Sequence, residues 1–213
     1  MKKIAILSDS ACDLPESIIE KYNIKILPLR IIYKDREFRD RFDIKPQEVY
    51  DNIENEVPRT SLPAPEDVLE TFDSLVEEGY TDAIVITISS GLSGTYNLVK
   101  LLSQDYEGLN IKVYDSKTLG MFLGFIVKEA AAIAGQQSID NIFNKMQEVR
   151  NKLKGGYVLK TLTYLKQGGR IGRVEGTVGE FFNIKPIIGI KTAGVYYTMA
   201  KVRGRKKSLN KIK

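Results

Sequence analysis

Apolar and polar positions along this chain follow two periods. Short runs rich in β-branched and aliphatic residues recur at Lys3 to Leu7, Ile24 to Tyr33, Ala83 to Ile88 and Ile111 to Tyr114, and read as buried strands. Between them lie stretches of helical period: about Asp13 to Tyr22, Lys45 to Glu54, Glu66 to Glu78, and a segment restarting near Gly94 and running to about Leu102. In the third, Val68, Leu69, Phe72 and Leu75 fall on one face. Asp13 reads as the N-cap of the first helix, with Pro15 in its first turn. Lys34 to Arg41 reads as a charged turn or hairpin, and Pro58 to Pro65 as a rigid loop whose residues before proline are held extended. Strands alternating with helices predict an α/β fold, a parallel or mostly parallel sheet with helices on both faces. Asp9, Ser93 and Asp115 then fall at carboxyl ends of strands, on one rim.

Past Ser116 the pattern changes. Leu119 to Ala134 has almost no polar face, the mark of a buried helix. It reads either as packing between layers or domains, or as the wall of an apolar ligand tunnel, in which Gly120, Gly124 and its alanines leave room. Ser138 to Lys152 is a second helix. Gly155-Gly156 marks a boundary between a first domain, 1–154, and a smaller second one, 155–213. In the latter, Tyr157 to Lys160 reads as a strand, Thr161 to Gln167 as a short helix and Val174 to Phe182 as helical. Pro186 to Ile190 and Val195 to Met199 form a hairpin across Ala193-Gly194. About sixty residues is small for an independent core, so the second domain is expected to be incomplete.

The stretch with most chemistry is Thr81 to Asn97. A buried strand, the loop Ser89-Ser90-Gly91 and a helix start make a βα turn, the place where open α/β sheets bind ligands. Its serine and threonine hydroxyls, backbone amides and helix dipole make a receptor for a carboxylate, phosphate or sulfate. The alternative is a plain capped helix with Ser93 as N-cap.

Composition narrows the options. The chain has 213 residues, no histidine and one cysteine, Cys12. That excludes Ser-His-Asp and Cys-His nucleophilic machinery and zinc sites of the usual kind within it. One cysteine rules out an intrachain disulfide, which suits a reducing cytoplasm. The run after Met1-Lys2-Lys3 meets Asp9 too early for a signal-peptide core, and the most apolar segment is shorter than a membrane span. The net charge is +5, yet Lys201 to Lys213 alone holds seven basic residues and no acid. A nucleic-acid reading rests on that tail. Gly91-Leu92-Ser93-Gly94-Thr95 falls one glycine short of a nucleophile elbow. Asp9, Asp13 and Asp115 read either as a Mg²⁺ site for phosphoryl transfer or as loop and helix caps. Gly168-Gly169-Arg170 presents a guanidinium to a phosphate or carboxylate, or forms a structural ion pair. Hydroxyls without a base bind an oxyanion rather than attack it, and an apolar wall beside them suits a hydrocarbon. A fatty acid has both parts.

Several motifs, in order along the whole chain, resemble the DegV family of bacterial fatty-acid-binding proteins. They are Asp9 to Pro15, Thr60-Ser61-Leu62-Pro63, Ser89 to Tyr96, Asp115-Ser116-Lys117, Gly168 to Ile171, Lys185-Pro186-Ile187 and Val202 to Lys207. The resemblance implies two α/β domains with an acyl chain buried between them. It implies a carboxylate held by Thr60 and Ser93, with Ser61, Ser90 and Gly94 as further candidates. It also implies a carrier without catalysis or cofactor, which presents its fatty acid to a fatty acid kinase that makes an acyl phosphate for phospholipid synthesis. Arg170 and Arg203 would face the kinase or the acyl phosphate. Leu119 departs from the family's small or hydroxyl residue, and the family normally continues into further strands, with a His- or Gly-bearing loop near the carboxylate.

Overall fold

The computed structural model describes residues 3–172, 174 and 186–212. The chain divides into two compact units, Met1–Lys152 and Leu153–Lys213.

The first unit is built on a parallel sheet of four strands in the order β2-β1-β6-β7: β1 is Ile4–Asp9, β2 Lys25–Leu27, β6 Asp82–Thr87 and β7 Asn110–Asp115. Ile6 pairs with Ile84, and Ala83 with Ile111, so the strands end together. Side chains alternate between the two faces. Ala5, Leu7, Leu27, Ala83 and Val85 meet Val68, Phe72 and Leu75 of helix α3 (Pro65–Glu77) and Val99 of helix α4 (Thr95–Gln104). Full burial of Phe72 or Leu75 contributes about 1.5–3 kcal/mol each. Against β1 and β6 also packs α5 (Gly120–Ile133), joined by α1 (Glu16–Tyr22) and α6 (Ile139–Lys152). Among the described residues no helix is long and apolar enough to cross a membrane.

Three local expectations change. Ile24 to Tyr33 is not one strand. It breaks at Pro28-Leu29 into β2 and β3 (Arg30–Ile32), and the two halves join different sheets. Proline has no N–H to continue a ladder. The Pro58–Pro65 loop contains a strand, β5 (Arg59–Ser61), which pairs antiparallel with β3, as does β4 (Glu37–Arg39) on the other side. Helix α2 (Pro46–Asn52) lies between β4 and β5 in sequence. Asp13 does not cap α1: Pro15 holds that position, and Asp13 turns the chain with φ +52° at the end of a 3₁₀ turn, Ser10–Cys12.

Helix α5 is apolar around its circumference but not buried around it. Leu123, Ile126, Val127 and Ala130 face the core, whereas Met121 and Phe125 are 40% and 44% exposed. Gly124 leaves no room for a ligand, because the 3₁₀ turn fills its space. A Cβ there would collide with the Cys12 carbonyl oxygen and press on Leu14.

In the second unit an antiparallel sheet runs β10-β9-β8, with β8 at Tyr157–Val158, β9 at Ile187–Ile190 and β10 at Tyr196–Ala200. Lys191 to Val195 closes the expected hairpin around Gly194. Helix α7 spans Thr163–Gln167, and the basic tail forms α8, Arg205–Ile212, whose Arg205 guanidinium donates to the Val158 carbonyl at 3.0 Å. The helix expected over Val174 to Phe182 lies, Val174 apart, outside the described residues.

Candidate anion-binding site

Asp9, Thr87 and Asp115 end their strands in register, and the loops that follow are laced together along that rim. The Asp9 carboxylate accepts the Ile88 N–H at 2.7 Å and the Ala11 N–H at 3.1 Å. Burial pushes its carboxyl up to about 7, against the pull of those amides, and Asp40 adds to the rise. The Asp115 carboxylate accepts the N–H groups of Ser90 and Lys117, both at 3.1 Å. Burial works to raise that carboxyl, but the Lys117 ammonium at 2.6 Å, Ser90 and the two amides outweigh it and hold it below its ordinary value. Ser89 donates its N–H to the Thr118 carbonyl at 2.8 Å. These bonds favour a capping reading of Asp9 and Asp115. Among the described residues no group of three or more His, Cys, Asp or Glu side chains is placed to hold a metal ion.

Most of the loop's amides do not converge on one point. Leu92 and Ser93 donate to the Ser89 carbonyl, and Gly91 donates to the Ser89 hydroxyl oxygen. Ser89 is buried and faces inward. The N-cap of α4 is Gly94 rather than Ser93, and Ser93 Oγ instead accepts the Thr95 N–H at 3.3 Å. By helix geometry the amides of Tyr96 and Asn97 still have no partner within the helix. The Ser93 and Thr95 hydroxyls share one hydrogen bond at 2.9 Å, which leaves one of the two O–H groups to point elsewhere. Half-buried Ser90 lies at the same turn, its Oγ 2.8 Å from Lys117 Nζ. What this turn can offer a ligand is therefore hydroxyls and the first turn of a helix, not a ring of loop amides.

Thr60 and Ser61 reach this region from the small antiparallel sheet. Both are exposed on β5, and Thr60 pairs with Ile31. The next residue, Leu62, packs over Gly94, so the two hydroxyl-bearing loops touch. The small sheet is itself tied to the rim: Ser10 Oγ accepts the Leu29 N–H at 3.1 Å and donates to Asp40 at 2.6 Å. Arg170 and Arg203 lie in the second unit and are exposed. Arg170 follows the turn after α7 and donates to the Gly168 carbonyl at 2.6 Å. Lys117 carried no role in the sequence reading, although it sits in the quoted Asp115-Ser116-Lys117 motif. Two positions after a strand end, it was the signal available. A cleft of about 540 Å³ opens elsewhere, at the β2 edge between α1 and α3, lined by Ile19, Ile26, Arg39, Arg41 and Asp67 among others. None of the hydroxyl loops borders it, so its size says nothing of the anion site.

Residues 3–213 match the family described as "Uncharacterised protein, DegV family". A DegV domain-containing protein of Clostridium acetobutylicum is 49% identical over 213 residues, covering all of this chain and 76% of its own length. Among solved structures, a DegV family protein from Thermus thermophilus, described for its fatty acid binding, superposes with a TM-score of 0.89 at 28% identity. It is matched over 99% of this chain and 75% of that one. A stearic acid-binding protein from Eubacterium ventriosum superposes with a TM-score of 0.85 at 31% identity, over 100% and 74%.

Proposed function

This chain belongs to the DegV family, and from that premise we propose that it binds a long-chain fatty acid and carries it without catalysing a reaction. The observation that carries the reading is the cluster of hydroxyls at the sheet rim, Ser90, Ser93 and Thr95, joined by the Leu62–Gly94 contact to the loop of Thr60 and Ser61. Hydroxyls at a helix start accept a carboxylate without any charge having to be buried unpaired. Within these 213 residues no histidine stands beside Ser93 as a base, and we read the serine as holding an oxyanion. Met121 and Phe125 on α5 offer apolar surface to the acyl chain. Two of the similar structures are described as fatty acid or stearic acid binding.

The finer part of the proposal concerns a partner. The carrier presents its ligand, in the cytoplasm, to a fatty acid kinase that converts the carboxylate to an acyl phosphate for phospholipid synthesis. The second unit supports an anionic partner or product. Leu153–Lys213 has 14 basic residues against 2 acidic ones, whereas Met1–Lys152 has 18 against 25. The excess of positive charge thus begins well before the C-terminal tail, and Arg170 and Arg203 both lie within it. Mass spectrometry under native conditions, followed by analysis of the organic extract, tests the carrier reading. A fatty acid at near-stoichiometric amount is expected. A protein that stays empty after incubation with saturated and unsaturated long-chain acids contradicts it.

A further inference from the structure

Asp9 is a buried acid without a cation of its own. Its side chain is wholly enclosed at the end of β1, and among the described residues no lysine or arginine pairs with it. Two amides hold it, Ala11 N–H on Oδ1 at 3.1 Å and Ile88 N–H on Oδ2 at 2.7 Å. An ionised carboxylate enclosed in this way is costly even with both bonds made.

The charges on the elements around it do not offset that cost. From the small sheet comes Asp40, which repels Asp9, and Arg41, which faces Asp13, Asp40 and the Leu14 carbonyl. The 3₁₀ turn adds the Cys12 thiol, itself pushed up by burial to about 11. Lys25 of β2 pairs with Glu78, and Asp82 of β6 bonds to Thr81 and Asn110, both at the other ends of their strands. Lys128 and Glu129 of α5 pair with each other, and Asp115 of β7 pairs with Lys117. Asp9 is left with a neighbour of its own sign.

Its place gives this a consequence for binding. Ile88, whose amide it accepts, leads straight into the hydroxyl turn: Ser90 is two residues on, about 7 Å at full extension. An anion seated on Ser90, Ser93 and Thr95 brings a second negative charge close to Asp9, through a protein interior that screens poorly. Asp9 can yield by accepting a proton. Each of its oxygens keeps a lone pair besides the one that meets an amide, so both bonds can survive protonation. With its carboxyl raised to about 7, that exchange falls near neutral pH.

We infer that seating an anionic head group at this turn is coupled to uptake of one proton from solvent by Asp9, so that the site holds its ligand more tightly when Asp9 is neutral and releases it more readily when Asp9 ionises. The inference rests on the carrier reading and adds to it how pH regulates the same site.

The test counts protons. Myristic acid is titrated calorimetrically into wild type and Asp9→Asn at pH 7.5, in two buffers of different ionisation heat. Wild type is expected to take up about half a proton more per ligand than Asp9→Asn. Between pH 6 and pH 9 the wild-type affinity is expected to fall about tenfold, and that of Asp9→Asn to stay nearly level. Asp40→Asn, which removes the like charge beside Asp9, is expected to move the fall to lower pH. Equal proton uptake, or equal pH profiles, in wild type and Asp9→Asn overturns the inference while leaving the carrier reading intact. If Asp9→Asn fails to fold, the Asp40→Asn profile decides, and a fall that does not move overturns the inference. A wild type that binds neither myristate nor stearate at any of these pH values overturns both readings.

Discussion

Leu62 lies against Gly94: a Cβ placed on that glycine would come within 3.4 Å of Leu62 Cδ2. This contact brings the Thr60-Ser61 loop, carried by an antiparallel sheet, onto the Ser90-Ser93 loop, carried by the parallel one. Two pieces of chain about thirty residues apart thus share one apolar seat beside their hydroxyls.

Removing a hydroxyl from this region should weaken ligand binding more than it weakens the fold. Ser93→Ala and Thr60→Ala are each expected to lower fatty-acid affinity by roughly 1–2 kcal/mol, about 5- to 30-fold. The melting temperature should change little in Thr60→Ala, because Thr60 is exposed, and fall modestly in Ser93→Ala, which loses the bonds of Ser93 Oγ to Thr95 at a cost of about 0.5–2 kcal/mol. Calorimetric titration with a long-chain acid checks both. An unchanged affinity in Ser93→Ala removes the oxyanion role of that loop.

The exposed side of α5 makes a separable prediction. Phe125 is 44% exposed, so Phe125→Asp costs the core little. If Phe125 touches the acyl chain, the substitution weakens long acids strongly and short ones hardly at all. Equal effects on hexanoate and stearate would place the hydrocarbon elsewhere.

Gly124 is a test of the fold rather than the ligand. Gly124→Ala puts a methyl group into the Cys12 carbonyl oxygen and against Leu14. Overpacking of this kind costs about 1–3 kcal/mol. The melting temperature should fall despite alanine's better helix propensity, and a rise would mean that α5 lies farther from the 3₁₀ turn.

Asp9 makes stability depend on pH in a direction opposite to most carboxylates. Its ordinary pKa is 3.8 and burial raises it to about 7 in the folded chain. Between those values the folded state binds more protons than the unfolded one. Stability from this group is therefore complete below about pH 4, falls as pH rises to about 7 and is flat above that, by at most on the order of 4 kcal/mol. Urea melts at pH 4.5, 6 and 7.5 should show the decline, and Asp9→Asn should remove it. A wild-type profile that rises over this window would show that the two amide donors outweigh burial.

The sequence displayed the parallel sheet well, because its signals are local. Ala83 to Ile88 is a β-branched run ended by Ser89, and the helix that follows keeps its apolar period through Leu98 and Leu102. The small sheet was hidden because pairing defines it. Arg59-Thr60-Ser61 has no strand-like periodicity between its prolines and becomes a strand only when Ile31 and its neighbours lie beside it. The break at Pro28-Leu29 was hidden for a related reason: an unbroken apolar run does not reveal that its two halves serve different sheets. At the site, residue types indicated which hydroxyl groups were at hand, but not which groups were already committed. The Gly91, Leu92 and Ser93 amides are consumed by Ser89 and those of Ser89 and Ser90 by Thr118 and Asp115 at the end of β7 and just after it, and Lys117 acquires its relation to Ser90 only through the adjacency of β6 and β7.

The Ser10 hydroxyl, between the Leu29 amide and the Asp40 carboxylate, has one more consequence. It fastens the small sheet at its root, while Leu62 meets the parallel sheet's loop at the tip. The two sheets act like the jaws of a calliper, with a serine for the pivot and the hydroxyl loops as the points. Changes to side chains on β3, β4 or β5 can then reset the gap between the points by fractions of an ångström without repacking Phe72, Leu75 or the strands beneath them. A fold of this kind can be regauged for different head groups and still keep a single core.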